Sequence, residues 1–67
     1  MELRVNGALR ALPPEVQTAA QLLESMQIAP ERVVVEVNLK ILKRAELATT
    51  ALQPGDAVEI VRFVGGG

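Results

Sequence analysis

Sixty-seven residues with seven Lys and Arg against eight Asp and Glu, a net charge of −1, leave room for one domain and offer no polyanion-binding surplus, so nucleic acid is not an expected partner. There is no cysteine, hence no disulfide, no thiolate chemistry and no sulfur-ligated metal, and the single aromatic, Phe63, makes no stacking platform for bases. At 49% hydrophobic and 22% charged the chain is globular in composition, and no apolar run approaches the roughly 18 residues of a membrane span. Glu2 and Arg4 stand where a signal peptide would need its apolar stretch, so a cytoplasmic location without membrane attachment is the expectation.

The N-terminal stretch "LRVNGALRAL" places Asn6-Gly7 between two short apolar runs, which predicts two antiparallel strands joined by a tight turn. Pro13-Pro14 ends the second strand, because proline cannot donate to a ladder. "TAAQLLESMQIAP" predicts a helix. Thr18 caps its first turn, Gln21 completes a capping box, and Ala19, Leu22, Leu23 and Met26 form one apolar stripe. Pro30 is expected to close this element by turning Ala29 away from helical angles. "RVVVEVN" is a valine-rich strand with Val33, Val35 and Val37 on one face and Val34, Glu36 and Asn38 on the other. A short strand is expected around Ile41 and Leu42, followed by a possible helical turn in "AELATTAL". Pro54-Gly55-Asp56 supplies turn chemistry before a last strand. Hairpin, helix and further strands make an α+β domain, a small mixed sheet under one main helix. Lys40, Lys43 and Arg44 read first as a solvated basic edge and second as a contact for an acidic partner.

The last strand carries the functional signal. Alternation assigns Val58 and Ile60 to the core and turns Glu59, Val61 and Phe63 outward, with Arg62 inward near the strand's end. Val61 and Phe63 are thus an exposed apolar pair, a candidate partner-docking patch. It adjoins three glycines, Gly65, Gly66 and Gly67, which read as a flexible tail beyond a folded unit of residues 1–64. Three glycines reach about 10 Å when extended. Lacking side chains, they fit a channel too narrow for other residues.

Catalysis by the chain itself is not expected. Histidine and cysteine are absent, no phosphate-binding glycine loop opens a helix, and the serine and threonines have no base to activate them. No spacing singles out a pair among Glu15, Glu24, Glu31, Glu36, Glu46, Asp56 and Glu59, and a metal would have carboxylates alone to hold it. The carboxylate of Gly67 is the group of interest, as a substrate for other enzymes.

These features resemble the ubiquitin-like β-grasp sulfur carriers, most closely the ThiS-like carriers of thiamine biosynthesis. The resemblance spans nearly the full length. It rests on the N-terminal hairpin, "TAAQLL", "VVVEVN", the run from Leu52 to Val61 and the terminal Gly66-Gly67. The chain departs from the family pattern after Asn38: Leu39, Lys43-Arg44 and Leu47 stand where a glycine, a Pro-Arg pair and a tryptophan are common. The resemblance implies a β-grasp domain that binds no cofactor itself. A ThiF-like adenylyltransferase would use ATP to adenylate Gly67, and a cysteine desulfurase or other persulfide donor would supply sulfur. The resulting thiocarboxylate would pass its sulfur to a ThiG-like thiazole synthase. Val61 and Phe63 would correspond to the exposed hydrophobic patch of ubiquitin-like proteins. The small subunit of molybdopterin synthase, other sulfur carriers or ubiquitin-related modifiers, and a non-catalytic β-grasp interaction module remain open alternatives.

Overall fold

A computed structural model describes residues 1–63; the domain end at residue 64 and the tail of Gly65, Gly66 and Gly67 lie outside the described residues. Five strands and one α-helix follow in the order β1 (Glu2–Val5), β2 (Ala8–Ala11), α1 (Ala19–Ser25), β3 (Val33–Val37), β4 (Lys40–Leu42) and β5 (Ala57–Arg62). Single 3-10 turns occupy Pro30–Arg32 and Arg44–Glu46, the second beginning one residue before the "AELATTAL" stretch where a helical turn is expected and overlapping its start. The strands form one mixed sheet in the order β2-β1-β5-β3-β4. The last strand in sequence is therefore central, parallel to β1 and antiparallel to β3.

Local chemistry explains both hairpins. Asn6 and Gly7 have φ of 49° and 83°, the left-handed angles a two-residue turn of the primed type requires. The Asn6 side chain then does more than turn the chain. Its Oδ1 accepts from the Ile60 amide at 2.7 Å and its Nδ2 donates to the Ile60 carbonyl at 3.3 Å, which continues the β1–β5 ladder beyond the end of β1. In the β3–β4 turn Asn38 and Leu39 also take positive φ, 50° and 72°.

Both ends of α1 are satisfied by identifiable groups. The capping box forms as the sequence predicts: the Gln21 amide donates to Thr18 Oγ1 at 3.2 Å, and Gln21 Oε1 accepts from the Thr18 amide at 3.0 Å. The two preceding orphan donors of the first turn go to the segment after β4, Ala19 to the Thr50 carbonyl at 3.1 Å and Ala20 to that of Leu47 at 2.9 Å. At the other end the helix stops at Ser25, short of the Pro30 signal. Gln27, at φ 59°, takes the left-handed position usually given to glycine, while Gln27 and Ile28 donate to the Glu24 and Leu23 carbonyls at 3.0 and 2.9 Å. This pairing is a Schellman termination. Pro30 instead opens the 3-10 turn, where its missing N–H is not needed.

Period-two and helical spacing converge on one core. Leu3 and Val5 of β1, Val33 and Val35 of β3, Leu42 of β4, and Val58 and Ile60 of β5 point to the same side as Ala19, Leu22 and Leu23 of α1. Met26 is half-buried against them, and Leu47 and Leu52 fill the remaining side from the connecting segment. No polar side chain is buried among the described residues. Seven helical residues are too few to be stable alone, so α1 exists because this apolar face covers it. The result is the sheet-and-helix arrangement expected of a β-grasp domain. Among the described residues no helix is long and apolar enough to cross a membrane.

The ledger of α1 is testable by denaturation. Thr18→Ala should lose about 1 kcal/mol of unfolding free energy, and Leu22→Ala roughly 2–5 kcal/mol by opening a cavity at a fully buried position. Equal losses for the two variants would contradict the division between cap and core.

Candidate functional site: the outer face of the sheet

Strand register determines which side chains meet on the surface away from the helix. Val61 of β5 lies opposite Val34 of β3, and Glu59 lies opposite Glu36, which in turn lies opposite Ile41 of β4. Paired residues share a face, so Val34, Glu36, Ile41, Glu59 and Val61 stand together on the outer side. Phe63 continues this side one step past β5, and its amide donates to the Arg32 carbonyl at 3.0 Å. The sheet thus holds the chain up to the last described residue.

Val61 and Phe63 are exposed, at 53% and 63%, as the alternation predicts. Ile41, at 62%, joins them across β3. The sequence reading put Val34 on this face but did not single it out, and it did not bring Ile41 there. The missing information was the β3–β4 and β3–β5 register, which local periodicity does not contain. Pro30, Val34, Ile41, Arg44 and Phe63 border a shallow groove beside the pair, where the three-residue β4 ends and leaves the start of β3 uncovered. Arg62 is on the opposite side of β5 and is exposed beside Gln27, Ile28 and Arg32, so its guanidinium reaches water.

The charged residues sort around this apolar strip. Glu36 and Glu59 are direct cross-strand neighbours, a juxtaposition no sequence spacing revealed. Like charges so placed are mildly destabilising. They stand on open sheet surface beside no histidine or cysteine, and so form an electrostatic feature of the face. Lys40, Lys43 and Arg44 are all exposed on and just after the edge strand β4, where cations also discourage edge-to-edge pairing. Among the described residues no group of three or more His, Cys, Asp or Glu side chains is placed to hold a metal. The N-terminus of α1, with its donors consumed as described, has no vacancy for an anion. The arrangement leaves Ile41, Val61 and Phe63 exposed together on the apolar part of this face. Among the described residues no base stands beside a hydroxyl to activate it as a nucleophile.

The model of the ThiS family matches residues 3–67, almost the whole chain. The sulfur carrier protein ThiS of Bacillus subtilis is 35% identical over 65 residues, covering 97% of this chain and 98% of that one. A thiazole synthase of Paramagnetospirillum magneticum is 37% identical over 67 residues; this chain spans only 20% of that protein's length. The crystal structure of the thiamine biosynthesis protein ThiS from Geobacter metallireducens superimposes with a TM-score of 0.85 at 38% identity, over 100% of both chains. Sequence and fold agree, and the chain belongs to the ThiS family of β-grasp sulfur carriers.

Proposed function

We propose that the chain carries sulfur as a thiocarboxylate on Gly67 and supplies it for thiazole formation in thiamine biosynthesis. The observation that carries this reading is the ThiS-family match extending through Gly67, joined to an exposed apolar face that ends at Phe63. Four residues follow Phe63, and fully extended they span at most about 14 Å. A partner seated on Val34, Ile41, Val61 and Phe63 is therefore within reach of the terminal carboxylate.

The chemistry follows from what a carboxylate lacks. Its oxygen is a poor leaving group, so exchange for sulfur needs activation. In the proposed cycle a ThiF-like adenylyltransferase directs a Gly67 carboxylate oxygen onto the α-phosphorus of ATP, and pyrophosphate leaves. The terminal sulfur of a persulfide, held by a cysteine desulfurase or another donor, then attacks the acyl carbon and AMP leaves. Reduction of the resulting acyl disulfide by a thiol frees the thiocarboxylate. ATP is bound by the partner, not by this chain. Ordering three glycines costs on the order of 3–6 kcal/mol, which burial of the apolar outer face in the partner would offset. A ThiG-like thiazole synthase as sulfur acceptor is supported by the similarity to one segment of the Paramagnetospirillum thiazole synthase, where a carrier-like stretch shares a chain with the rest of that protein. An intracellular site of action, the cytoplasm, goes with ATP-dependent partners.

Two outcomes are expected. Incubation with a matched adenylyltransferase, ATP and a persulfide donor should raise the intact mass by the difference between one sulfur and one oxygen, located on Gly67 by fragmentation. An unchanged mass with partners active on another carrier would overturn the proposal. Phe63→Asp should slow adenylation while leaving the thermal midpoint within a degree or two. A fall of about 4–8 °C, the size expected for 1 kcal/mol in so small a domain, would place Phe63 in the core instead of the docking face.

A further inference from the structure

Leu39 is the most exposed large apolar residue described, at 91%, and it sits at φ 72° in the two-residue turn between β3 and β4. Both facts run against the turn's needs. The second position of such a turn is best filled by glycine, and a leucine there places its β-carbon against the neighbouring carbonyl. The strain is not free to relax. The Asn38 amide donates to the Ala57 carbonyl at 2.8 Å, Asn38 Oδ1 accepts from the Ala57 amide at 3.0 Å, and Asn38 Nδ2 donates to Asp56 Oδ1 at 3.0 Å. Asp56 is itself fixed, its Oδ2 accepting from the Gln53 amide at 2.8 Å. The turn is thus bolted to the start of β5, and the leucine at its tip contributes almost nothing to the core. Backbone strain held by surrounding structure is characteristic of ligand clamps and active sites.

We infer that Leu39 is an anchor residue that enters an apolar recess on the adenylating enzyme, extending the docking face from the tail end of the sheet to its far corner. The inference rests on the reading of Val61 and Phe63 as the docking face. Continuity supports it: four of the five exposed large apolar residues are Phe63, Val61, Ile41 and Leu39. Val34 joins Val61 to the β3–β4 ribbon, and Ile41 stands two residues from Leu39 on the same ribbon. Phe63 lies level with Arg32, so the turn is roughly 20 Å away along β3. An ordinary interface of about 800 Å² per partner is some 30 Å across and covers both ends. The backbone that carries Leu39 is already held by the Asn38 and Asp56 hydrogen bonds, so the turn itself loses little freedom on binding.

The test uses Leu39→Gly and Leu39→Asn, both of which accept positive φ, with Phe63→Asp as the control. Each is assayed for adenylation by the matched adenylyltransferase and for thermal midpoint. The inference expects the KM for the carrier to rise about tenfold in both Leu39 variants, with kcat within about twofold. The midpoint should be equal or higher, because the strain is gone. An unchanged KM in both Leu39 variants, with a raised KM for Phe63→Asp, overturns the anchor and leaves the docking face standing. No change in any of the three overturns both. A midpoint several degrees lower in both Leu39 variants shows that the leucine packs against its own domain, and the inference fails.

Discussion

The insertion of β5 between β1 and β3 is the constraint on which the rest depends. It joins the N-terminal hairpin to the β3–β4 ribbon, and it buries Val58 and Ile60 under α1 while exposing Val61 and Phe63 on the other side. One strand therefore closes the core and leads out to the tail. Two asparagines fasten it. Asn6 supplies the ladder bonds that β1 is too short to make at Ile60, and Asn38 holds Ala57 at the strand's beginning. Phe63, the last described residue, is held in turn by the Arg32 carbonyl.

This placement separates stability from function. The core is apolar throughout the described residues and is formed by inward positions that no partner can touch. The outward positions Val34, Ile41 and Val61, with Phe63 just past β5 and the strained Leu39, lie outside that core. A small domain without disulfides has little stability to spare, so apolar residues left in water ask for a reason outside the fold. A carrier supplies one, since its surface has to be read by enzymes while its interior only has to persist.

Much of this was legible in the chain. Asn6-Gly7 announces a primed turn because few other pairs accept its angles, and Thr18 with Gln21 announces the helix start because each completes the other's hydrogen bonds. The alternation in "AVEIVRF" gives the two faces of β5 correctly. The helix end was misjudged: a glutamine, not a glycine, takes the left-handed position, so the terminating residue carries no compositional mark, and Pro30 is more conspicuous while serving another turn. The parallel pairing of β1 with β5, the placing of Ile41 on the same face as Val34 and Val61, and the Glu36–Glu59 pair depend on register between segments far apart in sequence. Periodicity within one segment cannot specify them. The strain at Leu39 was hidden for the same reason, since it exists only once Val37 and Lys40 are paired.

The account stands or falls on a carboxylate offered by one protein and activated by another. Carrier-dependent exchange of labelled pyrophosphate into ATP by the matched adenylyltransferase measures that first step directly. Exchange should require the native chain and vanish when its terminal carboxylate is converted to the amide, with the folded body otherwise unaltered. Exchange that persists with the amidated chain would contradict the claim that Gly67 is the group being activated.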